Sequence, residues 1–350
     1  MNSTFQVNGV PIGIGQRPYV VAEMSGNHNG SLDTALALVD VAAEAGAHAI
    51  KLQTYTADTM TVDVQHPRFQ ISKGHDLWSG EYLYQLFERA HTPWEWHEPI
   101  FERARRHGLT PFSSPFDRTA VDLLEKLDAP LYKIASSEIT DLPLVRLAAS
   151  TGKPLIISTG MASVQEIAAA VEAAQGAGCT ELVVLSCTAS YPAPPEQTNL
   201  RRIPVLADTF RVPIGLSDHT LGIGVPVASV AFGACLIEKH ITLSRGDGGV
   251  DSAFSLEPQE LAALVVESER AWQALGTTHI GPTEAEQESL RFRRSLYVVA
   301  DVRAGDVLTE QNVRSIRPTG GLAPDTIGTV LGRTFRADAA KGTPLTWDLI

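Results

Sequence analysis

The feature that most constrains this chain is an eightfold alternation of short apolar runs with segments of helical length. The runs cover residues 19–24, 48–53, 109–113, 131–135, 154–158, 182–186, 213–216 and 235–237. Short stretches of near-continuous apolarity suit strands buried on both faces, as in a parallel sheet covered by helices. Among the intervening segments, 164–175 carries the clearest helix signal. Ser163 and Glu166 form a capping box, Ile167, Ala170, Val171 and Ala174 share one face, and Gly176 and Gly178 close it. Leu32, Ala35, Leu36, Val39, Ala42 and Ala43 repeat that spacing, with Ser31 placed to cap and Gly46 to stop. Eight such units, the last ending in a helix that opens on Pro258, predict a (β/α)8 TIM barrel. The competing arrangement is a doubly wound open sheet, and the absence of GxGxxG after the first strand counts against it.

Barrel enzymes draw their sites from the C-terminal ends of strands, and here those ends are polar. They offer Glu23 with Asn27, Lys51 with Gln53, Ser113 and Ser114, and Lys133 with Ser136 and Ser137. Ser158 and Thr159, Cys187 with Thr188 and Tyr191, Ser217 with His219, and Lys239 with His240 complete the set. Lysines beside hydroxyls from several strands describe a cationic, donor-rich cup suited to a phosphate or carboxylate. Glu23 within it reads either as an acid/base group or as a lysine's partner. Residues 213–242 form one strand–helix–strand unit whose strands are expected parallel and adjacent, so His219 and His240 emerge at one sheet edge. Neutral imidazoles meeting there are natural ligands for a divalent metal; the other reading is two hydrogen-bonded core histidines.

Composition sets the boundaries of function. A net charge of −12 argues against nucleic acid or an anionic membrane as partner. No apolar run approaches membrane-spanning length, and the start lacks a secretory pattern. Cys179, Cys187 and Cys235 stand in apolar contexts without CxxC spacing, so reduced thiols and a cytoplasmic location are expected. The connection 56–80 is long and carries Met60, Phe69 and Trp78, which fits a substrate lid or a packed surface loop. After Gly276 the pattern changes. We read 1–276 as the barrel, 277–287 as a polar linker and 288–350 as a small β-rich domain.

The runs AEMSGNHNG, KLQTYTADTMT, PFSSPFD, YKIASSEI, ISTGMAS, CTASYPAP, GLSDHT, EKHIT and GGVDSAFSLEP resemble the sialic acid synthase family. The tail, FRRSLYVVADVRAGDVLTEQNVRSIRPTGG, is similar to that family's antifreeze-like (SAF) domain. Within the family, EMSGNHNG, LQTYTADTMT and DSAFSLEP look most like the pseudaminic acid synthases. The resemblance implies condensation of phosphoenolpyruvate with 2,4-diacetamido-2,4,6-trideoxy-L-altrose and water, giving pseudaminic acid and phosphate; neuraminate or legionaminate synthesis is the alternative. It implies a metal, usually Mn²⁺ with Mg²⁺ or Co²⁺ as substitutes, on His219 and His240. Lys51, Ser114, Lys133, Ser136, Ser158 and Ser217 match the positions that hold phosphoenolpyruvate, and Glu23 the carboxylate beside the reacting carbons. Gln53, Tyr191 and Asp251 match sugar- or metal-side contacts, and Arg317 an SAF arginine that reaches the partner barrel of a domain-swapped homodimer. Ala189 departs from the family: neuraminate enzymes carry a ligand-touching asparagine there. Without the resemblance, a metal-dependent aldolase or a non-catalytic sugar-binding protein would share many of these features.

Overall fold

The computed structural model describes residues 3–71 and 78–350. They fall into two compact units, Met1–Gly276 and Thr277–Ile350. The first begins with an antiparallel hairpin, β1 (Thr4–Val7) and β2 (Val10–Gly13). Its two-residue turn, Asn8-Gly9, has positive φ at both positions, the geometry that matches strand twist and that Asn-Gly favours.

Eight parallel strands follow: β3 (Tyr19–Glu23), β4 (Ala49–Thr54), β5 (Thr110–Pro115), β6 (Tyr132–Ile134), β7 (Leu155–Ser158), β8 (Leu182–Cys187), β9 (Ile214–Asp218) and β10 (Leu236–His240). They close in chain order, with β10 pairing both β9 and β3. This is the expected (β/α)8 barrel, and its last helix spans Pro258–Leu275. Ser31 caps Leu32–Glu44 by accepting from Thr34 N, and the Ser163–Glu166 capping box opens Val164–Gly176.

Strand pleat sorts the side chains into two cores. Along β8, Leu182 and Val184 pack outward among the helices, while Val183 and Leu185 pack inside the barrel. The hairpin's Phe5, Val7 and Ile12 join that inner cluster beside Tyr19, Ala49, Leu131 and Leu236, closing the end opposite the site. Further along each strand the same inward parity presents Glu23, Lys51, Gln53, Ser114, Lys133, Ser158, Ser217, Glu238 and His240. β9 and β10 run past the predicted 213–216 and 235–237, so Ser217, Glu238 and His240 are strand residues rather than loop residues.

The second unit has its own core of Leu296, Val298, Leu308, Val313, Val330, Phe335 and Leu345. It contains an antiparallel pair, β11 (Ser295–Val298) and β12 (Val313–Ile316), extended by isolated bridges such as Val302 to Ala339. Among the described residues no helix is long and apolar enough to cross a membrane.

Candidate active site

At the C-terminal ends of the strands lies a small inner cavity of about 60 Å³, lined by both lysines, Glu23, Gln53, Ser114, Ser136, Ser158, Cys187, Tyr191, Ser217, Glu238 and both histidines. It shares Gln53, Ala135, Ser136, Tyr191 and His240 with a second cavity of about 450 Å³. The sequence suggests a cationic cup; the structure instead pairs each lysine with a carboxylate. Lys133 Nζ donates to both oxygens of Glu238 at 2.9 and 3.0 Å, and Lys51 Nζ lies 2.7 Å from Glu23 and 3.8 Å from Glu238. All four side chains are buried. Burial opposes the Lys51 charge, but Glu23 and Glu238 outweigh it and raise its pKa. Burial holds Lys133 below the usual lysine range despite Glu238. Burial would also raise Glu238, yet Lys133 and Lys51 hold it below the usual carboxylate range. For Glu23, burial prevails over Lys51 and pushes the carboxyl up.

Ser114 Oγ and Ser158 Oγ are buried against this cavity without a hydrogen-bond partner. Buried polar atoms are nearly always satisfied, so two orphaned hydroxyls beside two lysines mark a place for an oxygen-rich anion. Ser217 donates to Glu238 at 3.1 Å, and Ser136 Oγ accepts from Gly160 N at 3.0 Å. Two residues named from sequence face the other way. Ser113 bonds Thr54 at 2.7 Å beneath the helix layer, and Lys239 pairs with Asp218 at 2.5 Å and donates to Thr220 O. Strand parity could have excluded both.

The two histidines are brought together as expected, with ring centroids 5.3 Å apart. His219 Nδ1 meets Thr188 O at 2.9 Å, which fixes its proton there and leaves Nε2 as the lone-pair nitrogen. Burial, then His219 and the nearby lysines, keep His240 neutral well below the ordinary histidine range. Its Nδ1 is buried without a hydrogen bond, 3.7 Å from Asp251 Oδ2. Tyr191 and Phe254 pack on the pair, at 4.4 Å from His219 and 5.1 Å from His240. Among the described residues no cluster of three or more His, Cys, Asp or Glu forms a ready metal cage. Burial opposes the His219 charge, but Cys187 and Thr188 O outweigh it and raise its pKa. Two imidazoles with a carboxylate close by fit a divalent ion that keeps open coordination positions.

The outer cavity has a different character. Tyr55, Met60, Trp78, Leu83, Leu86, Phe87 and Phe116 make an apolar wall, with Ser25, Gln53, Glu138 and Asp251 as polar points. Met60 and Trp78 come from the long connection, and Trp78 Nε1 donates to Val250 O at 3.1 Å across the barrel mouth. Residues 72–77 of that connection lie outside the described residues. Burial raises Asp251 to about 6 and Glu138 to about 7. Glu138 Oε2 is buried without a partner. Glu238 and Glu138 are site residues outside the sequence candidates, although Glu238 shares inward parity with His240 and Glu138 stands in YKIASSEI. Arg317 lies in the second unit, beyond β12, and is exposed there.

Residues 38–280 match the NeuB family, and residues 293–350 match the SAF domain. The chain is 41% identical over 330 residues to the pseudaminic acid synthase of Campylobacter jejuni, covering 94% of this chain and 96% of that one. It is 39% identical over 335 residues to the pseudaminic acid synthase of Helicobacter pylori, covering 95% and 98%. The crystal structure of N-acetylneuraminic acid (sialic acid) synthetase from Leptospira borgpetersenii superposes with a TM-score of 0.74 at 33% identity, covering 84% of this chain and 97% of that one. With an eight-stranded barrel, a polar site at its strand ends and relatives that match along nearly its whole length, this chain belongs to the NeuB family and carries a SAF domain at its C-terminus.

Proposed function

We propose that this enzyme is a pseudaminic acid synthase, condensing phosphoenolpyruvate with 2,4-diacetamido-2,4,6-trideoxy-L-altrose and water and releasing phosphate. The observation that carries this reading is the two-tier cavity. A small charged chamber opens through Gln53, Ser136, Tyr191 and His240 into a larger apolar one. Phosphoenolpyruvate suits the inner tier. Its phosphate and carboxylate accept from Lys51, Lys133 and the unpartnered Ser114 and Ser158 hydroxyls, with Ser136 and Ser217 beside them. The sugar suits the outer tier, near Gln53, Tyr191 and Asp251, with its 6-methyl against the wall that includes Met60.

His219 and His240 are the residues that would hold a divalent ion, Mn²⁺ first and Mg²⁺ or Co²⁺ as substitutes. When bound, such an ion supplies Lewis-acid polarisation of the open-chain aldehyde. The chain's own groups do the rest. The nucleophilic C3 of phosphoenolpyruvate attacks the aldehyde carbon, forming the new C–C bond. Water adds at the cationic C2, and the tetrahedral adduct expels phosphate by C–O cleavage. Glu23, 2.7 Å from Lys51 and accepting from Gln53 at 2.9 Å, lies where it can stabilise that cation or orient the water. Lys51 and Lys133 neutralise the departing phosphate.

We also propose that the enzyme works in the cytoplasm as a domain-swapped homodimer, with Arg317 of one subunit reaching the acetamido group bound in the other. The buried, unpaired Cys179, Cys187 and Cys235 support a reducing compartment. Mixing Glu23→Ala with Arg317→Ala tests the swap: mixed dimers regain one intact site in trans and none in cis. The substrate is tested by phosphate release from phosphoenolpyruvate across a panel of acetamido sugars, with mass spectrometry of the products. The altrose should be strongly preferred. Comparable turnover of N-acetylmannosamine or of a legionaminate precursor would overturn the assignment.

A further inference from the structure

Just past the end of β3, the chain turns through Ser25 with φ at +46°, in the left-handed region that L-residues other than Asn and Asp seldom occupy. Gly26 follows, and a Cβ there would lie 2.5 Å from Val250 Cγ2 and 3.1 Å from Ala90 O, so no side chain fits at the position after the turn. Glycine at position 25 would make that bend without steric cost. A strained serine kept where glycine would serve points to a use for its hydroxyl.

The hydroxyl sits between two side chains of the outer cavity. Ser25 Oγ donates to Asp251 Oδ2 and accepts from Gln53 Nε2 at 3.2 Å. Gln53 Nε2 also donates to Glu23 Oε1 at 2.9 Å, and Asp251 Oδ2 lies 3.7 Å from His240 Nδ1. A continuous polar chain thus runs from the inner carboxylate to the loop after β10. One end is Glu23 on β3 and the other is Asp251, 226 positions further along the chain than Ser25. Asn27 holds the same loop from behind, accepting from Asp251 N at 3.2 Å and donating to Ser255 Oγ at 2.8 Å. That leaves Ser25 as the contact that aims the Asp251 carboxylate itself.

We propose that Ser25 is a positioning residue for the sugar substrate, holding Asp251 and Gln53 at the mouth of the outer cavity through its hydroxyl. This rests on the reading of the outer cavity as the sugar site. Its signature is a sugar-specific kinetic loss that relief of strain does not rescue. Ser25→Gly relieves the left-handed strain and removes the hydroxyl, so kcat/KM for the sugar should fall about tenfold, as for a lost hydrogen bond to a charged group, while the thermal midpoint stays above that of Ser25→Ala. The KM for phosphoenolpyruvate should stay within about twofold. Ser25→Ala keeps the strain and loses the hydroxyl, so it should share the kinetic loss with a lower midpoint. Unchanged sugar kinetics in Ser25→Gly would overturn the proposal. So would equal damage to sugar and phosphoenolpyruvate kinetics together with a lower midpoint, which marks a general folding role. The comparison is made with whichever panel sugar the wild-type enzyme turns over, so a wrong sugar assignment shows in the wild type and a wrong Ser25 assignment only in the variants.

Discussion

The inner cavity takes nearly all its polar side chains from barrel strands, whereas the outer cavity takes its walls from the connections between them. Glu23, Lys51, Ser114, Lys133, Ser158, Ser217, Glu238 and His240 are all strand residues with inward parity. Met60, Trp78, Leu86, Phe87, Glu138, Val250 and Asp251 belong to loops or to the helices that interrupt them. Strand positions are held by pleat and barrel closure, so moving one disturbs the whole sheet. Loops vary at lower cost. Under the proposed function, the contrast assigns anion binding to the barrel itself and the choice of sugar to its rim.

The largest expected effect would break the chemistry of the inner tier outright. Chelation should abolish phosphate release, and Mn²⁺ should restore it. His219→Ala should bind Mn²⁺ far more weakly by calorimetry while keeping its circular dichroism. Full activity in metal-free buffer would sink the metal assignment.

Next comes the lysine–carboxylate box. Lys133→Met should do more than weaken phosphoenolpyruvate, because it leaves the buried Glu238 with only Lys51 at 3.8 Å and the Ser217 hydroxyl. Removing one partner of a buried pair costs roughly 3–5 kcal/mol. The double variant Lys133→Met/Glu238→Gln should recover much of that stability in urea titrations, yet still bind phosphoenolpyruvate about tenfold or more weakly. Failure of the second change to restore stability would mean that the pair is not the source of the loss.

The outer tier should respond in selectivity rather than in chemistry. Met60→Ala should reduce the preference for a 6-deoxy sugar over its hydroxymethyl counterpart by about tenfold, within the range that small apolar groups command. Phosphoenolpyruvate KM should be unaffected. A drop in turnover with unchanged preference would erase the distinction between the tiers.

The smallest effect concerns how the outer loops are held to the barrel. His97 donates to or accepts from Thr54 at 2.8 Å, and His28 packs edge-on against Trp96. Burial lowers each to about 4, with neighbouring histidines adding to it for His28 and backbone bonds opposing it for His97. Both are therefore neutral when folded and take up protons more readily unfolded. Their contribution is fully present above pH 6.5 and is lost as pH falls from about 6.5 toward 4. Each adds at most about 1.4 kcal/mol per pH unit to the slope. His97→Gln should flatten the stability profile over that window by about one proton; an unchanged slope would exclude the histidine as its source.

Much of this molecule was legible locally. Short apolar runs and 3.6-residue patterns are properties of neighbouring residues, so the eight strands, the Ser163 capping box and the last helix follow from short stretches. Asn8-Gly9 between Val7 and Val10 is an equally local signal, that of a two-residue hairpin. His219 and His240 were legible too, because parallel neighbouring strands end at one edge. The charge state of the cup was not. Lys133 and Glu238 lie 105 residues apart, and only barrel closure brings β6 and β10 across one interior. No local pattern tells whether a strand-end lysine will meet an anion or a carboxylate, nor whether Ser25 will meet Asp251 across 226 residues. The sequence by itself determined the period of each element and the polarity of its end. Tertiary closure decided which of those ends share a proton, a charge or a ligand, since electrostatic pairing acts through space and is blind to separation along the chain.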